Sequence, residues 1–284
     1  MGKKNTVKRK GKSLLISKLI IGLLLLGGVS ILLYPFLCNT WNQYKNDRSI
    51  DQYETMMETL SEKDRDHMLK EARAYNREHM VTVITDSFGK NQGAAKVRKD
   101  IVYDSLLNPI GDGAMGFLQI PKINVRLVIY HGTSEGVLQQ GVGHVHGTSL
   151  PVGGRGTHSV LAAHRGLPTA KLFTDLDRME AGDQFLINVV GKILAYQVDS
   201  IRVVKPDELD AVQNDVKDDR VTLLTCTPYG VNSHRLLVSG HRVPYVEDEQ
   251  PYVDMIRYML IAVVVTIILF VLTLILLRRK RKNV

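Results

Sequence analysis

The pattern of hydrophobic and polar positions changes texture along the chain. From Leu19 to Leu37 ("LIIGLLLLGGVSILLYPFL") and again from Tyr258 to Leu277 ("YMLIAVVVTIILFVLTLILL") no charged residue occurs. Each run approaches the ~20 apolar residues that a bilayer-spanning helix needs; a helix buried in a core is the other reading. Between Ile50 and Met80 the period is helical. Tyr53, Met57 and Leu60 recur at three- and four-residue spacing, and Met68, Ala72 and Tyr75 resume it after a break. "SEKD" at Ser61 reads as a capping box that opens the second of these helices. The next stretch, from "VTVITDSFGKNQG" to "LLNPIGDG", is turn-rich and without a clean period. From Met115 onward the texture is β. "MGFLQI", "VRLVIY", "HSVLAA", "QFLINVV", "ILAYQVDSIRVV", "RVTLLTC" and "RLLVSGHR" are short runs rich in Val, Leu, Ile and Thr, separated by Gly, Pro, Asn or Asp. "LPTAKLFTDLDRM" reads as one short helix. Short strands without long helices between them predict an all-β closed barrel or sandwich, preceded by a helical N-terminal extension.

Charge refines this picture. The chain has 284 residues, 44% of them hydrophobic, and a net charge of +8. Lys3, Lys4, Lys8, Arg9, Lys10 and Lys12 precede the first apolar run, and Arg278, Arg279, Lys280, Arg281 and Lys282 follow the second. These two tails hold more than the whole net charge, so the rest of the chain is net acidic. That argues against nucleic-acid binding, which needs a basic patch on the folded domain. Under the positive-inside bias, both termini are expected in the cytoplasm and the segment from about Cys38 to Ile256 outside. The expected organisation is a basic tail (1–13), a transmembrane signal-anchor (14–37), a helical extension (38–112), a β domain (113–245), a juxtamembrane linker (246–257), a transmembrane helix (258–277) and a second basic tail (278–284). A cleaved signal peptide is the alternative for the first run, but "YPFLCNTWNQ" offers no small-x-small cleavage site.

The chemistry centres on "TLLTCTPYGVNSHR", Thr222 to Arg235. Strand-like flanks and the turn residues Pro228, Gly230, Asn232 and Ser233 predict a hairpin. Such a hairpin sets Cys226 beside Arg235 at one sheet edge, where a cation lowers a thiol's pKa and prepares a nucleophile. An ordinary surface arginine at a turn is the plain alternative. The chain has only two cysteines, Cys38 next to the first apolar run and Cys226. A thiol left free in an oxidising space points to a reactive role; a Cys38–Cys226 disulfide is the competing arrangement. Among nine histidines, His164 is best placed as the proton-transfer partner, because it ends "SVLAAH" just before "RGLP". "HVHG" supplies a rival reading in which His144, His146 and Cys226 hold a metal. No fourth ligand suggests itself.

Three stretches carry a resemblance: "MGFLQIPKINVRLVIYHGTSEGVLQQGVGHVHGTSLP", "THSVLAAHRGLPTAKLFTDLDRMEAGDQF" and "VTLLTCTPYGVNSHRLLVSGHR". From about Gly113 to Arg242 the chain resembles class C sortases, the pilin-polymerising type. The resemblance implies an eight-stranded sortase β-barrel with short helices, no cofactor and no metal. It implies Cys226 as nucleophile, His164 as acid/base and Arg235 as stabiliser of oxyanion or substrate. The implied substrate is a pilin or surface protein with an L-P-x-T-G-like sorting signal, cut after Thr and held as a thioester, with hydrolysis as a side reaction. The implied acceptor is a pilin lysine or a cell-wall precursor amine, and the implied place is the outer face of a Gram-positive plasma membrane. The family also carries a lid ahead of the barrel, with Asp-Pro and an aromatic at its core. Here "TDSFGKNQG", Thr85 to Gly93, stands at the matching place with Asp86, Ser87 and Phe88 at its core, so that Asp86 would face Arg235 and Phe88 would cover Cys226, with serine replacing proline. A housekeeping sortase that anchors proteins to the wall, and a non-catalytic pilus-assembly scaffold, are the alternatives.

Overall fold

In the computed structural model of the chain, residues 4–79, 86–89, 100–209 and 218–246 are described. Eight strands form a closed barrel: β1 (Ala114–Ile120), β2 (Val125–His131), β3 (Val142–His144), β4 (Thr157–Ala162), β5 (Gln184–Val189), β6 (Lys192–Val204), β7 (Asp219–Thr227) and β8 (His234–Val243). Around the barrel they run β1-β2-β3-β4-β7-β8-β6-β5, and β5 pairs back with β1. The β2–β3 and β4–β7 pairs are parallel and the others antiparallel. Closure removes free sheet edges, so the two ends of the barrel are where side chains can meet a ligand. The barrel reading holds over the sandwich. The strand absent from the expectations is β3, three residues long with a glycine at its centre, too short for a period to register.

The helical part is α1 (Lys4–Thr59), α2 (Glu62–Glu78), α3 (Ile101–Ser105) and α4 (Glu135–Leu138). Ser61 caps α2: its Oγ accepts from the Asp64 amide at 3.2 Å and donates to Asp64 Oδ2 at 2.6 Å. The period of Tyr53 and Met57 is explained by docking, since both are buried in the main core with Ile50. Tyr53 Oη donates to the Met115 carbonyl at 2.8 Å and accepts from the Val190 amide at 2.9 Å, so one side chain ties α1 to two strands. Burial pushes its pKa up to about 12. "LPTAKLFTDLDRM" is not an α-helix; it contains only a 3₁₀ turn at Leu176–Arg178. Phe173 and Leu176 are fully buried there, so packing of single apolar residues, not a helical face, orders the segment.

The expected location is corrected. Among the described residues, no helix is long and apolar enough to cross a membrane. Leu19–Leu37 is instead part of the 56-residue helix α1, most of whose remaining turns are polar. That helix docks on the barrel through such residues: Asn42 Nδ2 donates to the Thr169 carbonyl at 2.7 Å and Asn46 Nδ2 to that of Gln140 at 3.0 Å. The second expected span, Tyr258–Leu277, lies outside the described residues. The two-span topology, with cytoplasmic ends and an exterior catalytic domain, is therefore not retained.

Candidate active site

Hairpin β7–β8 pairs Cys226 directly with Arg235. Residues opposite each other in an antiparallel pair share a face, so thiol and guanidinium belong to the same end of the barrel. Both are nearly out of solvent, at 5% and 4% exposure. Asn232, in the left-handed region with φ 60°, turns the chain so that its carbonyl accepts from Arg235 Nη1 at 3.1 Å. The His234 carbonyl accepts from the same nitrogen at 3.0 Å.

His164 lies two residues past β4, beside β7. The parallel register pairs Ala162 with Leu224, and the Ala163 amide still donates to the Leu224 carbonyl at 3.2 Å. Continuing that register by two residues sets His164 level with Cys226. The neighbouring Arg165 holds the turn: its Nε donates to the Thr174 carbonyl and its Nη1 to Thr227 Oγ1, at 3.1 and 3.0 Å, and Nη2 meets Asp177. His164 Nε2 is buried and makes no hydrogen bond among the described residues. Glu135 Oε1 stands 3.4 Å from it.

Residues 86–89 close over this end. Asp86 takes both outer donors of Arg235: Nε donates to Oδ1 and Nη2 to Oδ2, each at 2.7 Å. The ring of Phe88 sits 5.4 Å from the Arg235 guanidinium carbon and 5.5 Å from the His164 ring. Below it lies a small apolar cluster that includes Leu138, Val145, Val160, Ala162 and Leu224. Ser87 is 3% exposed, and its hydroxyl has no hydrogen-bond partner among the described residues. Thr85 and residues 90–93 of the expected lid lie outside the described residues.

The electrostatics differ from the expectation. Burial pushes the Cys226 thiol above its ordinary range; Arg235 pulls it down, but Asp86 adds to the rise, and the net direction is up. A cation beside the thiol does not suffice when that cation is already paired. This arrangement favours the protonated thiol.

Cys38 and Cys226 are both free. The metal reading of "HVHG" does not survive the geometry. His144 is the last residue of β3, and both its ring nitrogens are used. Tyr103 Oη donates to Nδ1 at 2.8 Å, and Nε2 donates to the Ser149 carbonyl at 2.9 Å. Burial lowers its pKa to about 3. His146 lies outside the strand, 3.5 Å from Asp100 Oδ2. No group of three His, Cys, Asp or Glu suited to a metal occurs among the described residues. Sequence reasoning missed Glu135 and Arg165. "TSEG" and "HRG" carry no local signal of nearness to a thiol 60 or more positions downstream.

Comparison with known proteins agrees with this geometry. The sortase domain model matches residues 118–243. The chain is similar to the solved sortase C1 of Streptococcus agalactiae, with 43% identity over 70% of this chain and 100% of that one, at a TM-score of 0.63. It is similar to a Streptococcus pneumoniae sortase C whose structure bears on catalysis and pilin substrate specificity, with 38% identity over 71% and 99% of the two chains and a TM-score of 0.62. Sortase D of Bacillus subtilis is 29% identical over 133 residues, covering 46% of this chain and 64% of that protein.

Proposed function

The chain belongs to class C of the sortase family, enzymes that act as cysteine transpeptidases, and from that premise we propose that Cys226 is the nucleophile, His164 the acid/base and Arg235 the oxyanion stabiliser of a pilin-joining reaction. The substrate is an L-P-x-T-G-like sorting signal. The observation that supports the reading most is the register pairing of a buried thiol with a buried guanidinium, next to a histidine whose Nε2 has no hydrogen bond.

Each step then has a group to perform it. Asp86 must first leave Arg235, because it occupies the donors that a substrate oxygen would need. Its departure also removes a charge that raises the thiol's pKa. The Cys226 thiol gives its proton to His164, and the sulfur attacks the threonine carbonyl carbon. Arg235 donates to the oxygen as negative charge develops on it. The C–N bond breaks, and imidazolium protonates the departing glycine amine. The product is a Cys226 thioester. An incoming lysine amine attacks that thioester, loses its proton to His164, and releases the thiolate with a new amide bond formed. Residues 86–89 act as a lid that keeps the thiol protonated and covered until substrate arrives.

The pilin lysine as acceptor draws support from the S. pneumoniae relative, whose structure bears on pilin substrate specificity. The test is intact-mass trapping: wild-type chain with a sorting-signal peptide should gain the acyl mass, and Cys226→Ala should not. Supplying a pilin lysine peptide or a cell-wall stem amine then decides the acceptor. An acyl adduct on Cys226→Ala would overturn the site, and exclusive use of the stem amine would overturn pilin joining.

A further inference from the structure

The opposite end of β4 holds a second collection of cations. Thr157 begins β4, about 17 Å along the strand from Ala162 at ~3.3 Å per residue. There an open recess of about 210 Å³ is lined by Arg73, Asn76 and Arg77 of α2 and by the loop Gly153 to Thr157, which carries Arg155. Arg126, Arg165, Arg220 and Arg235 each meet a carboxylate. Arg73, Arg77 and Arg155 meet none among the described residues. Arg73 and Arg77 are four apart on one helix face, a like-charge spacing that disfavours the helix. A third arginine, Arg155, lines the same recess from the facing loop.

The recess is also held in shape. Between the two helix arginines, buried Asn76 clamps the approach to the loop: its Nδ2 donates to the Leu150 carbonyl at 3.0 Å and its Oδ1 accepts from the Leu150 amide at 2.7 Å. Gly153 and Gly154 have φ of +66° and +133°, and a Cβ on Gly153 would come within 2.8 Å of Asp219 Oδ2. The nearby acids are committed elsewhere. Asp219 accepts from the Gly154 amide and from Tyr196 Oη, both at 2.9 Å, and Asp218 lies 3.6 Å from Arg220. On α2, Glu71 lies 3.4 Å from His67. Glu78 follows Arg77 at the end of α2, and among the described residues none of the three guanidinium groups lies within ion-pair distance of a carboxylate.

We propose that this recess is a second binding site, separate from the thiol end, and that it takes a phosphate-type oxyanion. Three exposed arginines line the recess from two elements, and a carboxylate presents only two acceptor oxygens in one plane, which suits a single fork. A tetrahedral phosphoryl group with three or four acceptor oxygens can be shared among all three, and its charge relieves the repulsion between them.

The test uses the full chain and calorimetric titration at low ionic strength. Inorganic phosphate and inorganic pyrophosphate separate a single phosphoryl from a diphosphate ligand, and tri-glutamate supplies the carboxylate arm. Saturable binding of phosphate or pyrophosphate at one site is expected. Arg73→Gln, Arg77→Gln and Arg155→Gln should each weaken it about tenfold or more, as for a lost charge-assisted hydrogen bond, and the triple variant should lose it. Replacing all three by lysine keeps the charge but removes the forks, and should also weaken binding. Sorting-peptide cleavage by the triple glutamine variant should match wild type. The proposal is overturned by absence of saturable binding, by undiminished binding in either triple variant, or by tri-glutamate binding more tightly than both phosphates, which would assign the recess to an acidic peptide. A loss of cleavage in the triple variant would overturn its separateness from the thiol end.

Discussion

His144 and His164 lie on the same side of the barrel and are treated in opposite ways. His144 is fully buried, and Tyr103 and Ser149 use both its ring nitrogens. The Tyr103 ring stacks edge-on to His131 and His146 at 4.9 and 4.6 Å, and its hydroxyl also accepts from the Gly132 amide at 3.0 Å. The polar groups of that nest are spent on structural contacts: Tyr103 joins α3 to β3, and His131 bonds the Gly113 and Leu106 carbonyls. His164 faces Phe88, and its Nε2 is buried without a hydrogen bond among the described residues. A satisfied histidine stabilises the fold and has nothing left to offer a substrate. One left without a hydrogen bond costs stability, and in the proposed reaction that is the group available for proton transfer.

The contrast breaks most sharply at the thiol end. His164→Ala should lower kcat/KM for a sorting peptide by about 10²–10⁴-fold, the range of a general acid/base, with Tm nearly unchanged. Cys226→Ala should abolish acyl transfer, and Arg235→Lys should fail badly because a point charge cannot replace a fork. Near-wild-type turnover in Arg235→Lys would mean that only charge is required. Cys38→Ala should matter little.

His144→Ala should do the reverse. It removes the ring partners of the Tyr103 hydroxyl and the Ser149 carbonyl, at about 1–3 kcal/mol for a buried group left unsatisfied, so Tm falls while turnover per folded molecule holds. The pH dependence carries the same signature. The folded pKa of His144 lies near 3, below the ordinary histidine value of 6.5, so the unfolded chain binds the proton more readily. Its contribution to stability is complete above about pH 6.5 and is lost progressively as pH falls toward 3. Denaturant midpoints measured between those limits should slope less in His144→Ala than in wild type; an equal slope would show that His144 is not the titrating group.

A smaller effect sharpens the lid. In a Cys38→Ala background, Asp86→Ala should lower the Cys226 pKa by removing a charge that raises it, and Phe88→Ala should uncover the thiol. Both should speed alkylation of Cys226 several-fold at neutral pH, and unchanged rates in both would mean that residues 86–89 are no lid. The smallest effect is expected at Ser87. Its buried hydroxyl is unpaired, so Ser87→Ala should tighten the closed state by about 1 kcal/mol and slow alkylation. Ser87→Pro should also slow it where the backbone accepts the fixed φ.

How much of this was legible follows physical range. The runs from "MGFLQI" to "RLLVSGHR" became strands because β-forming residues bounded by turn residues are a property of neighbouring positions, and "SEKD" capped α2 for the same local reason. The Cys226–Arg235 pairing was legible because a short turn sets hairpin register. β3 was not, being three residues that are a strand only because β2 and β4 flank them. The Leu19–Leu37 run misled because apolarity in a window does not reveal the longer helix to which it belongs.

By itself, the sequence determined the short-range facts: where strands begin and end, which residues cap and turn, and which thiol sits opposite an arginine. Resemblance of motifs added the role expected of Asp86. Only the tertiary structure decided what each charged group meets. Asp86 and Arg235 are 149 positions apart, and their contact, with burial, reverses the direction in which the thiol's pKa moves. Whether a histidine is spent or spare depends likewise on Tyr103, Ser149 and Phe88, and whether an arginine is paired depends on which elements close around it. Electrostatic and hydrogen-bonding partners are chosen by packing across the whole barrel, and no window of sequence contains that information.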